Sequence, residues 1–165
     1  ERITDYDELL GFARQSELIS EGEMGRLRRK GESLPSVRDG VLRRTRRIRE
    51  AIYRTFCAVV NKRAADPADL DLLSNEAHHL RLDGDYGWTW QAHESGLDVF
   101  LGPIVRAALE LLTSDDGRSR VNLCEHPTCV WLFYDGSKNR SRRWCDMKQC
   151  GNRVKVKRHY ERSRH

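Results

Sequence analysis

Apolar positions recur at intervals of three, four and seven over most of the chain, the period of helices that bury one face. Thr4-Asp5-Tyr6-Asp7 opens a short amphipathic helix carrying Leu9, Leu10, Phe12 and Ala13, and Ser20-Glu21-Gly22-Glu23 has the form of a capping box for a second helix, which Gly31 is expected to end. Pro35 suits a first helical turn. Val37, Val41, Leu42, Ile48, Ile52, Phe56, Val59 and Val60 follow at helical spacing, which predicts the longest helix, running to about Lys62. Asp66-Pro67 repeats the start signal for a helix through Leu70, Leu73 and Ala77.

The period then changes. Leu80-Arg81-Leu82, a turn at Asp83-Gly84-Asp85, and Tyr86 to Trp90 alternate and are rich in aromatics, which predicts a β-hairpin. Leu97, Phe100, Leu101, Ile104, Val105, Ala108, Leu109, Leu111 and Leu112 predict a buried helix interrupted near Gly102-Pro103. Thr113 to Gly117 is a polar turn cluster and a natural boundary. Beyond it Val130 to Tyr134 reads as a strand, Asp135-Gly136-Ser137 as a turn, Arg142-Arg143-Trp144 as a return strand, and Gly151 to Arg164 as a final helix docked through Val156 and Tyr160. There is no internal repeat. The expected fold is mainly α with a short β-hairpin, residues 1–117 forming a helical domain and residues 118–165 a small separate module.

Charge sharpens that division. Residues 118–165 hold thirteen Lys or Arg against Glu125, Asp135, Asp146 and Glu161, a net +9 within a chain of net +5, so the first 117 residues carry −4. A basic end on a mildly acidic body predicts a polyanionic partner for that end. No apolar stretch has the length of a membrane span and the opening residues lack the form of a signal peptide, so a cytoplasmic protein without membrane contact is expected.

Four of the five cysteines fall between positions 124 and 150. Cys124 and Cys129, and again Cys145 and Cys150, are separated by four residues, a spacing at which two thiolates from one turn reach a single ion. In a reducing compartment such clustering favours metal over disulfides, and the module has too few apolar residues to fold without it. One structural zinc held by Cys124, Cys129, Cys145 and Cys150 is expected. Four thiolates close the coordination shell, so no chemistry is expected of the metal. His126, inside the first pair, is the competing ligand, and Cys57 reads as a small core residue.

The run from Arg140 through Trp144-Cys145-Asp-Met-Lys-Gln-Cys150-Gly151-Asn152-Arg153 to His159 resembles the CGNR zinc finger, and Cys129 to Asn139 fits the same pattern. The body resembles the ABATE domain, through Arg49 to Arg54 and Trp88-Thr89-Trp90. The order of cysteine turn, hairpin and helix suits a treble-clef-like finger, and the resemblance implies a bacterial, stress-related transcription regulator. Members of that family usually begin with an apolar strand ending in Asn-Thr, and this sequence starts after that point, so either it is trimmed there or the strand is absent.

Candidate nucleic-acid contacts are Lys138, Arg140, Arg142 and Arg143 before the second cysteine pair and Arg153, Lys155, Lys157, Arg158 and Arg162 on the last helix, with Arg164 beyond them. Guanidinium forks suit phosphate and guanine edges. The resemblance favours DNA over RNA. Trp131, Phe133, Tyr134 and Trp144 are read as the finger's own core, with stacking on single-stranded bases as the alternative, and an acidic protein partner is the alternative to nucleic acid. Arg49, Trp88 and Trp90 are candidates for a small-molecule pocket, against the reading that the tryptophans are core. His78, His79, His93 and Glu94 near Asp83 and Asp85 lack ligand spacing, and no enzyme activity is expected.

Overall fold

The computed structural model describes residues 3–92 and 95–162, with the side chains of 157–159, 161 and 162 outside the description. The chain divides into two compact units, Glu1–Ile52 with Pro67–Leu109, and Tyr53–Asp66 with Glu110–His165.

In the first unit, α1 (Tyr6–Gln15) is capped by Asp5, whose carboxylate accepts from Glu8 N, and α2 (Glu21–Ser33) begins with the complete Ser20–Glu23 capping box. Gly31 does not end α2. It lies buried in the last turn, where a Cβ would stand 3.3 Å from Tyr6 Cε1 and 3.4 Å from Arg38 Cδ, so its role is close approach. Helix α3 (Pro35–Val60) starts at its proline, and its last eight residues belong to the second unit. Helix α4 (Pro67–Ala77) leads into the hairpin of β1 (Leu80–Leu82) and β2 (Trp88–Trp90), with Leu80 opposite Trp90 and Leu82 opposite Trp88. Asp83 closes the hairpin turn by accepting from Gly87 N at 2.7 Å and Asp85 N at 3.1 Å.

Helix α5 (Leu101–Thr113) is uninterrupted. Pro103 falls in its first turn, where the missing N–H has no intrahelical acceptor to lose. Leu9, Leu10, Ile48, Leu73, Leu97, Phe100, Leu101 and Val105 are fully buried and form the core. The Tyr6 hydroxyl donates to Leu97 O at 2.7 Å within it, and burial, then the charges of Asp98 and Asp7, pushes that phenol upward. A buried ion cluster joins α3 to α4 and to the turn before α5: Arg44 is bidentate to Glu76 (2.6 and 3.0 Å) and reaches Asp98 at 2.9 Å.

In the second unit, the expected turn at Thr113 to Gly117 is mostly helical: Ser114 caps α6 (Asp115–Arg120) by accepting from Gly117 N. Strand β3 (Val121–Leu123) pairs antiparallel with β4 (Leu132–Tyr134), Val121 opposite Tyr134. Arg142-Arg143-Trp144 is therefore not the return strand, because the edge it was expected to take is held by residues preceding the first cysteine. A wide π-type turn, Met147–Gly151, runs directly into α7 (Asn152–Arg162). Among the described residues no helix is long and apolar enough to cross a membrane.

Candidate metal centre and basic surface

The ends of β3 and β4 set the first cysteine pair. Cys124 follows β3 directly and its N–H donates to Trp131 O at 2.9 Å, while Cys129 N donates to His126 O at 2.9 Å, so the intervening residues form a tight loop. The second pair brackets the wide turn. Asp146 caps it by accepting from Gln149 N at 2.6 Å and, through its carbonyl, from Gly151 N at 3.1 Å. Gly151 sits close under the turn: a Cβ would lie 2.5 Å from Met147 Sδ, so the Met147 side chain would have to move, and 3.3 Å from Trp144 Cε3.

These elements bring the four sulfurs of Cys124, Cys129, Cys145 and Cys150 within 4.8 Å of one another. Cys129 to Cys145 and Cys145 to Cys150 are each 3.7 Å apart. A tetrahedral zinc with bonds of about 2.3 Å sets its ligands on edges of about 3.8 Å, whereas a disulfide needs about 2.05 Å. The two 3.7 Å edges fit zinc, and all five cysteines are free thiols. Burial, followed by hydrogen bonding from the neighbouring sulfurs, pushes the Cys145 thiol up to about 12, and burial raises Cys150 as well. Crowded thiols of this kind ionise together only around a cation, whose binding would supply folding free energy. His126 is not in the cluster; its Nδ1 accepts from Thr128 N at 3.3 Å. Cys57 is half-buried on α3.

A residue that the sequence marked only as part of a turn organises the finger. Asp135 is fully buried and accepts from Ser137 N and Arg142 N, each at 2.9 Å, while its own N–H donates to Arg120 O at 2.7 Å. The Ser137 side-chain hydrogen bond, then the Arg142 and Ser137 amides, hold its carboxyl below the usual range. An Asp two residues before a Ser is the signature of an Asx turn, and that signal was available.

The expected nucleic-acid residues fall into three groups. Arg140, Arg142 and Arg143 have internal partners. Arg140 pairs with Asp116 and donates to Ser119 Oγ at 2.9 Å. Arg142 lies 5.0 Å from the Phe133 ring centroid and donates to the Trp144 and Cys145 carbonyls, which braces the second cysteine turn. Arg143 pairs with Glu125 and stacks 5.5 Å from Trp144. Lys138, Arg153 and Lys155 are exposed and, with Lys148, carry no ion pair among the described residues. The side chains of Lys157, Arg158 and Arg162 lie outside the described residues, as does Arg164. Of the four aromatics, Phe133 is buried and Trp144 half-buried, but Trp131 (53% exposed) and Tyr134 (47%) face solvent. Val156 (53%) and Tyr160 (66%) are likewise exposed, so the expected docking side of α7 is corrected; Val154 is the more covered residue.

In the first unit, Trp88 is half exposed, and Arg49 is partly exposed and pairs with Glu50 at 2.6 Å. Trp90 packs on α5 so closely that a Cβ on Gly102 would stand 2.4 Å from Trp90 Cβ. Its ring lies 5.1 Å from His79 and 5.9 Å from the Arg44 guanidinium, and its indole N–H is buried without an acceptor among the described residues. A cleft of about 350 Å³ lies elsewhere, lined by Thr4 to Asp7, Arg28, Glu32, Arg38, Asp39 and Leu42. His79 Nδ1 faces Gln91 O at 3.1 Å, and His93 and Glu94 lie outside the described residues.

A family model for the CGNR zinc finger matches residues 120–163. The ABATE model, whose description reads "Putative stress-induced transcription regulator", matches residues 1–115. No curated protein matches the chain. Neither matching family is described as enzymatic.

Proposed function

Since the chain belongs to the ABATE family and carries a CGNR zinc finger, we propose that it is a cytoplasmic, DNA-binding transcription regulator whose treble-clef-like finger is folded by one structural zinc. The observation that carries this reading is the pairing of a closed four-sulfur site with exposed, unpaired cations on the turn and helix that the site anchors: Lys148, Arg153 and Lys155, with Lys138 on the preceding loop. Zinc supplies rigidity here, and Arg142 and Arg143 hold the cysteine turns. The free cations then meet phosphates, and Arg153, at the start of α7, takes a base edge.

The test is a salt titration of zinc-loaded protein on a mixed duplex pool. Affinity should fall with a log–log slope of about −0.9 per phosphate neutralised. Lys155→Ala should weaken all sequences alike and flatten that slope by about one unit, whereas Arg153→Ala should alter sequence preference by about 1–3 kcal/mol. No binding to any nucleic acid at low salt would redirect the finger to an acidic protein partner. The exposure of Trp131 and Tyr134 favours a second reading, stacking on single-stranded RNA, and decisive competition by RNA of equal length would establish it in place of the first. In the first unit, the buried, unpartnered Trp90 indole N–H supports a small-molecule site at Trp90, with Arg49 and Trp88 as its other proposed residues. Trp90→Phe should abolish ligand-induced stabilisation in a thermal screen while leaving zinc content unchanged.

A further inference from the structure

The acidic balance of the first 117 residues conceals a basic band. Residues 26–54, on α2 and α3, hold ten Arg and one Lys against Glu32, Asp39 and Glu50, a net +8. The flanking segments 1–25 and 55–117 carry −5 and −7. Much of the band is structural: Arg28 pairs with Asp7, Arg44 with Glu76 and Asp98, and Arg46 donates to the carbonyls of Ile3 and Thr4. Arg43 and Arg47 are different. They lie four residues apart on α3, so they share one face one turn apart, and both are exposed with no ion pair among the described residues. Carboxylates at the right spacing exist, Asp39 one turn before Arg43 and Glu50 three residues after Arg47, but Asp39 accepts from Arg38 at 3.0 Å and Glu50 from Arg49 at 2.6 Å. Two like charges are thus kept adjacent and uncompensated, which disfavours the helix unless an anion joins them.

We infer that Arg43 and Arg47 form a second phosphate-binding strip, on α3 in the first unit, by which the protein takes up a sugar-phosphate backbone independently of the finger. The chemistry points to phosphate because the band is almost wholly arginine, whose planar fork binds two phosphate oxygens at once. Nucleic acid is the occupant that this charge complements, and this inference rests on the reading of the protein as a nucleic-acid binder. The strip reads backbone and not sequence.

The experiment compares the zinc-loaded chain as wild type, Arg43→Gln/Arg47→Gln, and a finger variant, Lys148→Gln/Lys155→Gln, on one mixed-sequence duplex between about 50 and 200 mM salt. The strip variant should bind roughly ten- to a hundredfold more weakly at low salt, with a slope shallower by about 1.8 units for two lost phosphate contacts. Its thermal transition and zinc content should match the wild type. Should the double variant fold poorly, Arg43→Gln and Arg47→Gln taken singly should each flatten the slope by about 0.9. If strip-variant and wild-type isotherms superpose while the finger variant is weakened, the strip is refuted and the finger reading stands. Failure of the wild type to bind any nucleic acid would refute both. Loss of binding to phosphatidylserine vesicles with unchanged duplex affinity would assign the strip to a lipid surface and overturn the inference.

Discussion

The two units solve the same problem with different materials. The first buries eight or more large apolar side chains, among them Leu9, Leu10, Phe100 and Leu101, and holds two of its buried carboxylates, Glu76 and Asp98, against the Arg44 guanidinium. In the zinc-finger part of the second, the side chains most removed from solvent among the described residues are those of Val121, Phe133, Cys124, Cys150 and Asp135. Its centre is sulfur and a hydrogen-bonded anion, with little hydrocarbon around them. Hydrophobic burial scales with area and tolerates adjustment, whereas ligand geometry and buried polar satisfaction are set by a few atoms. The first unit should therefore fail gradually under substitution and the second abruptly.

The largest expected effect tests that contrast directly. Cys150→Ser, or removal of zinc by a chelator, should unfold the finger, because structural zinc in small modules contributes about 10–16 kcal/mol. Metal analysis should give one zinc per wild-type chain and none in the variant, and amide signals from β3, β4 and α7 should collapse while those of the first unit persist. Collapse of both sets together would abolish the distinction. The mirror experiment is Leu10→Ala, which should cost the first unit about 2–5 kcal/mol and leave one zinc bound. Loss of zinc from that variant would likewise contradict it.

Asp135→Asn should act on the finger alone, and its sign with pH is fixed by the carboxylate's depressed pKa. A group held low by hydrogen bonds from Ser137 and Arg142 contributes stability that is complete above its unfolded value, near about 4, and that disappears as pH falls through the folded value. Between pH 6 and 8, then, the variant should release zinc to a competing chelator faster than wild type by a constant factor. A gap that varied across that interval would show that some other group titrates.

The same contrast explains what could be read from the sequence. Local signals survived intact: the Ser20–Glu23 box, the helix start at Thr4 to Asp7, the prolines opening α3 and α4, the Trp88-Thr89-Trp90 alternation and the spacing of the cysteines. What failed was non-local. Strand β4 pairs with three residues before the first cysteine, a run too short to register as periodic, and the more aromatic Arg142–Trp144 segment looked like the better partner. Charge density identified a basic end but not which cations are free, since Arg140 reaches Asp116 and Arg143 reaches Glu125 only once the chain has folded back. Gly31 and Gly102 looked like breaks because glycine's backbone freedom is a local property, while their actual use, close packing, depends on a distant neighbour.

The smallest expected effect bears on whether the first unit's local signals carry energy as well as information. Ser20 Oγ accepts from Glu23 N at 3.3 Å while the Glu23 carboxylate accepts from Ser20 N at 2.8 Å and from its hydroxyl at 2.7 Å, so two amides that α2 leaves without intrahelical acceptors are satisfied at once. Ser20→Ala removes the hydroxyl but leaves Glu23 able to hold the Ser20 position's amide, so the loss should be one cap and not two. That is about 1 kcal/mol, or roughly 4–8 °C in the melting temperature of a unit of this size. Ser20→Gly should cost only a few tenths of a kcal/mol. Thermal unfolding of both variants, monitored by far-ultraviolet circular dichroism with zinc saturating, gives the comparison. Equal losses would mean that the cap does not set the stability of α2, and a shift in zinc affinity in either variant would break the independence of the two units from the weakest side.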